Sequence, residues 1–205
     1  MDRQVIDAMQ RWPDVPSACG WLSLDARGAW RLHEHGDANT GAPGERIAHD
    51  GLRAFIARNY SHDEQGRWFF QNGPQRVFVS LEAAPYLLRW NDTQSALENH
   101  LGMPAGNIFA WWLSSDGRLY AQTALGPAAL DDRELESTAR RLMLPNGASL
   151  LQYWLAHYPE LADDAASVLL LPDVQLDGQL PGAPLMGIGE QRLPAELGFQ
   201  RHPSI

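Results

Sequence analysis

The stretch that most restricts what this chain can fold into runs from Arg67 to Leu81. Arg67 to Gln71 and Gln75 to Leu81 are rich in aromatic and β-branched residues, and Asn72-Gly73 stands between them. Asn-Gly favours a two-residue connection between antiparallel strands, and Val77, Val79 and Leu81 alternate onto one face. A β-hairpin with its turn at Asn72-Gly73 is therefore predicted. Tyr86, Leu88 and Trp90 alternate in the same way and read as a third strand of that sheet. Its proline, Pro85, sits at the strand start, where it removes no ladder hydrogen bond.

The same punctuation recurs. Asp25-x-x-Gly28-x-Trp30, Asp63-x-x-Gly66-x-Trp68 and Asp116-Gly117-x-Leu119-Tyr120 each place an acidic turn and a glycine before an aromatic strand. Further strands are predicted at Trp21 to Leu24, Ala29 to Leu32, Ala96 to Leu101, Asn107 to Leu113 and Arg118 to Thr123. Helical spacing appears at four places. Val5, Ile6, Met9 and Trp12 form the first set; Leu52, Phe55, Ile56 and Tyr60 form the second, behind Asp50. Leu135, Ala139, Leu142 and Met143 come after Asp131 and Asp132, and Leu150, Leu151, Trp154, Leu155 and Tyr158 run up to Pro159. From Pro172 onward Pro, Gly and Leu dominate, which reads as an irregular tail, packed because Leu176, Leu180, Leu185, Met186 and Phe199 are too apolar for a solvated linker.

These elements predict an α+β fold of repeated, curved antiparallel β-sheets, hairpin-rich and each packed by helices. The expected divisions are an N-terminal α+β unit over 1–92, a C-terminal α+β unit over 93–171 and a packed irregular tail over 172–205.

Composition excludes more chemistry than it suggests. The 205 residues carry a net charge of −9, and every one of the 16 basic residues is arginine. Without lysine there is no Schiff base, no phosphate-loop lysine and no biotin or lipoyl attachment. The single cysteine, Cys19, allows neither an intrachain disulfide nor a cysteine-rich metal site and fits a reducing compartment. Residues 1–102 hold 10 Arg against 13 acids and residues 103–205 hold 6 against 12. Neither half is basic, so no nucleic-acid partner is expected. Met1 to Trp12 lacks an apolar leader core, and the longest aliphatic run, Val168 to Leu171, is far below the ~20 residues of a membrane span. A cytoplasmic protein without a membrane partner is expected.

Two constellations carry candidate chemistry. If the strand from Ala29 continues past Leu32, His33 and His35 share a face, Asp37 lies on the same side, and His49 supplies a fourth group: a His/Asp set for one divalent transition metal. The competing reading is a polar strand end entering an exposed loop, with no cofactor. Ser61-His62-Asp63 has the residue types of a hydrolase triad, but consecutive residues do not align as one. The second constellation is aromatic. Trp111 and Trp112 are adjacent, so on one strand their rings face opposite sides. One ring either packs under a helix or the tail, or lines a surface for a ligand or protein partner with Arg89 or Arg118.

Several stretches carry a family resemblance. They are Ile47-x-His49-x-Gly51-Leu52-x-x-Phe55-Ile56-x-Arg58-Asn59-Tyr60, then Asp63-Glu64-x-Gly66-Arg67-Trp68-Phe69-Phe70-Gln71-Asn72-Gly73-Pro74-Gln75-Arg76-Val77, then Leu81-Glu82-x-x-Pro85-Tyr86. Asp116 to Tyr120 and Leu193-Pro194-x-x-Leu197-Gly198-Phe199 extend it. Together they resemble a family of uncharacterised proteobacterial proteins known only as a domain of unknown function, over most of the chain. The order of helix, Asp-x-x-Gly hairpin and acidic-Pro-aromatic strand is also similar to a second such family, with repeated α+β motifs and a suggested signalling role. Neither resemblance implies catalytic residues. After Thr123 this chain has Leu125-Gly126-Pro127-Ala128-Ala129 in place of a longer aromatic motif.

The expectation is a non-catalytic adaptor or signalling module that binds a small molecule or a protein. The alternative is a metal-dependent enzyme using His33, His35, Asp37 and His49. A third reading, an obligate subunit of an oligomer, predicts an exposed apolar patch on the Trp111–Trp112 strand.

Overall fold

Hairpin loops organise this chain, because among the described residues five of them close on one hydrogen-bond pattern. In a computed structural model that describes residues 1–91, 93, 96–163, 169–176 and 182–205, the first residue of each loop exchanges backbone hydrogen bonds with the fourth and fifth. The loops run Asp25 to Ala29, Asp63 to Arg67, Asn99 to Met103, Ser114 to Arg118 and Leu144 to Ala148. In the first three, one side-chain oxygen of the leading residue accepts two backbone N–H groups across the loop. Such Asx bonding holds the turn and explains why Asp and Asn recur there. Ser114, not Asp116, leads the fourth loop. The shared geometry arises from loop length and a glycine at the fourth position, so it carries no statement about ancestry.

Residues 1–85 with 198–205 form one compact unit, and residues 86–197 form another. The first unit opens with α1 (Arg3–Arg11), and continues with β1 (Ala18–Leu24), β2 (Trp30–Leu32), β3 (Glu45–Arg46), α2 (Asp50–Arg58), β4 (Tyr60–His62), β5 (Trp68–Asn72) and β6 (Gln75–Leu81). Its sheet has the order β3-β2-β1-β6-β5-β4, antiparallel except where β1 lies parallel to β6 with Leu22 opposite Val79, Ser23 opposite Ser80 and Leu24 opposite Leu81. One face, with Leu22, Trp30, Phe70, Val79 and Leu81, is apolar and takes α2. Phe55 meets Phe70 edge-on at 5.4 Å, and Trp30 meets Tyr60 at 5.1 Å. Trp30 and Phe70 are buried, and a ring so buried stabilises by roughly 4–6 kcal/mol before ordering costs are subtracted; Phe55 and Tyr60 are half-buried.

The hairpin of β5 and β6 forms as predicted, but one residue further on. Asn72 pairs with Gln75, so the two turn residues are Gly73 and Pro74. A turn centred on Asn72-Gly73 would put Pro74 where its missing N–H has to close the loop. Gly73 instead takes φ 59° at the first turn position and the proline's fixed φ suits the second.

The second unit holds β7 (Tyr86–Asn91), β8 (Ala96–Asn99), β9 (Ile108–Ser114), β10 (Leu119–Thr123), β11 (Gly126–Leu130), α3 (Leu135–Arg141), β12 (Leu142–Met143), α4 (Leu150–Asp163), β13 (Leu169–Leu176), β14 (Ala183–Ile188) and α5 (Leu193–Leu197). Its sheet runs β12-β13-β14-β9-β10-β11-β7-β8, with β14–β9 and β11–β7 parallel. The fold is thus mixed α+β with two curved, largely antiparallel sheets.

Six local readings are corrected. Tyr60, read on the second helix, opens β4 instead, and the strand read over Ala96 to Leu101 ends at Asn99, where a hairpin loop begins. Tyr86 to Asn91 pairs with β8 and β11, not with the hairpin that precedes it. Leu142 and Met143 leave the helix and pair with β13. Pro159 lies inside α4, which continues to Asp163. The segment after Pro172 is not irregular: it completes β13 and supplies β14 and α5. Proline is tolerated in β13 because the register shifts between Leu171 and Val174, so the ladder breaks where an N–H is missing. Asp164, Val168, Leu180 and the expected boundary at residue 92 lie outside the described residues.

Asp131 ties the end of β11 to the turn that leads into α3. Its carboxylate is fully buried, accepts the Arg133 backbone N–H at 3.1 Å and meets Arg133 Nη2 at 2.6 Å and Arg89 Nε at 3.2 Å. Burial pushes the carboxyl up, but the hydrogen bonds and charge of Arg133 outweigh it and hold the pKa at about 2.

Both the Asp131 ion pairs and the close approach at Gly66 can be tested by unfolding. A folded-state pKa below the unfolded 3.8 gives Asp131 a stabilisation that is full above about pH 4 and lost as the pH falls through about 2. Denaturant unfolding of Asp131→Asn at pH 7 should show a loss on the order of 2 kcal/mol that disappears near pH 2. At Gly66 φ is 72°, and an added Cβ would stand 2.3 Å from the Gly198 carbonyl oxygen. Gly66→Ala should cost more than about 2 kcal/mol, whereas Gly41→Ala, also at positive φ but facing open space, should cost about 1 kcal/mol. Equal unfolding midpoints for the two variants would remove the close approach as the cause.

Candidate functional site

Alternation along β1 and β2 sends Leu22 and Leu32 to one face of the first unit's sheet and Ser23 and Arg31 to the other, since Leu22 pairs with Leu32 and Ser23 with Arg31. Each face carries a cavity.

On the apolar face, a cleft of about 420 Å³ opens between α2 and the sheet. Its floor is Leu22, Phe70 and Val77, with Ile56 from the helix; its mouth is Trp21, Leu32 and Leu52. These three keep 47%, 44% and 40% of their surface exposed, although strand alternation for Leu32 and helical spacing for Leu52 would place each of those two in a core. The amides of Asn72 and Gln75 stand at one end, and no charged residue lines the space. Asn72 and Gln75 flank the Gly73-Pro74 turn, so the hairpin tip delivers the cleft's polar groups. His49 delivers the helix: its Nδ1 accepts the backbone N–H of Leu52 at 3.1 Å and caps α2.

On the opposite face, a cavity of about 430 Å³ is lined by Ser23, Arg31, His33, Ser80, Glu82 and His202, among others. His33 is 3% exposed. Its Nε2 is 2.8 Å from Ser23 Oγ, and its Nδ1 is 3.4 Å from an Asp37 carboxylate oxygen. Arg31 binds Asp25 through Nε at 2.9 Å and donates Nη1 to the Gly44 carbonyl at 3.1 Å. Ser80 hydrogen-bonds Asn39.

The four residues read as metal ligands do not gather. The ladder bond from His33 N–H to the Trp21 carbonyl, 3.0 Å, gives way to a turn in which Gly36 N–H bonds back to the His33 carbonyl. The strand therefore stops before His35, which is exposed. His33 and Asp37 come together, but His49 caps a helix elsewhere. Among the described residues no three His, Cys, Asp or Glu side chains stand close enough to hold a metal ion.

The aromatic pair is also placed differently from a binding surface. Trp111 and Trp112 do face opposite sides of β9, but β9 is central in its sheet and both rings are buried. The exposed aromatic of that strand is Phe109. Arg89 and Arg118 are engaged elsewhere: Arg89 reaches Asp131, and Arg118 reaches Asp116 at 3.2 Å within a hairpin loop. Cys19 is part-buried, and its desolvation pushes the thiol up, away from a reactive thiolate.

Sequence reasoning missed Trp21, Leu32 and Leu52 as a cleft mouth and Ser23 as the partner of His33. Strand alternation for Leu32 and helical spacing for Leu52 were the available signals; for Ser23 there was none, because ten residues and a hairpin separate it from His33.

No described helix is long and apolar enough to cross a membrane. Among curated proteins no match to the chain was found. Two crystal structures resemble it, both of DUF1285 family proteins. One, from Silicibacter pomeroyi DSS-3, is 13% identical, with 68% of this chain and 78% of that one covered and a TM-score of 0.46. The other, from Shewanella baltica OS155, is 17% identical, with 58% of this chain and 89% of that one covered and a TM-score of 0.39. Residues 1–204 match the sequence profile of a whole family, and the chain accordingly belongs to DUF2944, described as "Protein of unknown function (DUF2946)".

Proposed function

We propose that the protein is a ligand-binding module whose first unit takes a small, neutral, largely apolar molecule into the cleft between α2 and the sheet. The observation that carries this reading is the cleft's lining. Its volume of about 420 Å³ falls in the range of small-molecule sites, and its walls are aliphatic and aromatic with two amides at one end. Three large apolar side chains are left in solvent at the mouth, at a cost that a ligand covering them would recover. Because no charge lines the cleft, an ionised ligand would lose its hydration without compensation. A carbon skeleton with one hydrogen-bonding group near Asn72 and Gln75 fits these terms.

This puts binding at residues other than Trp111, Trp112, Arg89 and Arg118, whose rings and guanidinium groups are committed to packing and ion pairs. A signalling or adaptor role would require that ligand occupancy change a surface that a protein partner reads.

The test is titration with the neutral fluorophore N-phenyl-1-naphthylamine. Saturable one-to-one binding is expected, with quenching of tryptophan emission through Trp21. Leu52→Arg, which puts a charge into the mouth, should weaken it at least tenfold, about 1.4 kcal/mol. Linear, unsaturable partitioning into the folded protein, or affinity unchanged in Leu52→Arg, would overturn the assignment.

A further inference from the structure

We propose that Ser23, His33 and Asp37 form the nucleophile, general base and orienting carboxylate of an acyl-transfer site that hydrolyses short-chain esters in the polar cavity of the first unit. This goes beyond ligand binding and does not rest on the apolar cleft, which lies on the other face of the sheet.

Three observations carry the proposal. The first is the order of contacts. Ser23 Oγ lies 2.8 Å from His33 Nε2, and Asp37 lies 3.4 Å from Nδ1, on the other side of the ring. A carboxylate on that side of the ring, once the contact closes to a hydrogen bond, favours the tautomer protonated at Nδ1 and leaves Nε2 free to take a serine proton. The Asp37 contact is longer than an ordinary hydrogen bond, as such contacts often are before substrate binds.

The second is burial without satisfaction. His33 is almost wholly buried, and its Nδ1 makes only the 3.4 Å ion-pair contact with Asp37, which does not reach hydrogen-bond geometry. A buried polar atom kept short of a full partner costs stability, and a catalytic role is one of the reasons for which such a group is retained.

The third is the surroundings. Ser23 stands in one cross-strand row with Arg31 and Ser80; the Arg31 guanidinium is held by Asp25 and the Gly44 carbonyl, so it borders the cavity and offers an oxyanion formed at Ser23 only a positive charge already paired with Asp25. Gly44 packs on the imidazole so closely that a Cβ there would stand 2.5 Å from Nε2, and Ala38, Gly41 and Ala42 complete a wall of small residues. That wall and a volume of about 430 Å³ suit a short acyl group rather than a long chain.

The reaction balances without a cofactor. Ser23 Oγ attacks the ester carbonyl carbon as its proton passes to His33 Nε2; the carbon–oxygen bond to the leaving alcohol breaks, and the alcohol departs with that proton. Water then attacks the acyl-serine and gives its proton to Nε2. The Ser23 ester bond breaks, the acid leaves and the proton returns to Oγ.

The experiment uses a fluorophosphonate probe read by intact and peptide mass spectrometry, with p-nitrophenyl acetate hydrolysis alongside. One adduct, on Ser23, is expected in the wild-type protein and none in Ser23→Ala. Labelling and hydrolysis should be at least tenfold slower in His33→Gln and Asp37→Asn. Unfolding curves establish that each variant is folded, and the half-exposed Asp37 keeps the comparison available should the buried His33 variant not fold. Absence of an adduct on folded wild-type protein, or an adduct or hydrolysis that persists in Ser23→Ala, would overturn the proposal.

Discussion

The parallel register of β1 on β6 is the constraint on which the first unit depends. With Leu22 opposite Val79, Ser23 opposite Ser80 and Leu24 opposite Leu81, every second residue of two distant segments is committed to the same face. A slip of one residue would turn the leucines and valine to the polar side and Ser23 to the apolar one. Both cavities are consequences of this pairing. The apolar face receives α2 and keeps its cleft, while the polar face sets Ser23, Arg31 and Ser80 side by side under the loop that carries Asp37 and Gly44.

The chain's end closes the polar side of the same unit. Leu81 N–H bonds to the Arg201 carbonyl, Gln200 N–H to the Gly66 carbonyl, Arg67 Nη1 to the Ser204 carbonyl and Asn39 Nδ2 to the Pro203 carbonyl. The first two satisfy the Leu81 N–H and the Gly66 carbonyl, and the last two satisfy the carbonyls of Ser204 and Pro203. They also explain why Gly66 tolerates no side chain: the returning chain passes directly over it.

How far the fold was legible depended on distance along the chain. Hairpins declared themselves through Asp, Asn and Gly, because the turn chemistry is contained within five residues. Even there Pro74 shifted the turn of the best hairpin by one position, through a single missing N–H. The parallel neighbours β1–β6, β11–β7 and β14–β9 left no comparable sign. Nothing in the alternation of Tyr86 to Trp90 says whether that strand joins the hairpin before it or the one after it. The candidate sites divide in the same way. His33 and Asp37 were visible as a pair of functional residue types, but their reading as metal ligands assumed a strand that in fact ends at Leu32.

By itself the sequence determined the hairpins at Asp25, Asp63, Gly73 and Ser114, the presence of the first four helices and the exclusion of lysine-dependent chemistry; which helical residues are buried it did not, since Ile6, Leu52 and Leu155 are exposed and Leu142 leaves its helix. Each rests on local spacing or on a residue type's presence or absence. Tertiary structure alone decided that Trp111 and Trp112 are core, that Trp21, Leu32 and Leu52 frame a cleft, and that Ser23 meets His33. The physical reason is that burial and side-chain partnership are properties of strand register and sheet order. These are set by pairings between segments far apart in the chain, where a local pattern specifies a face but not the neighbour that will cover it.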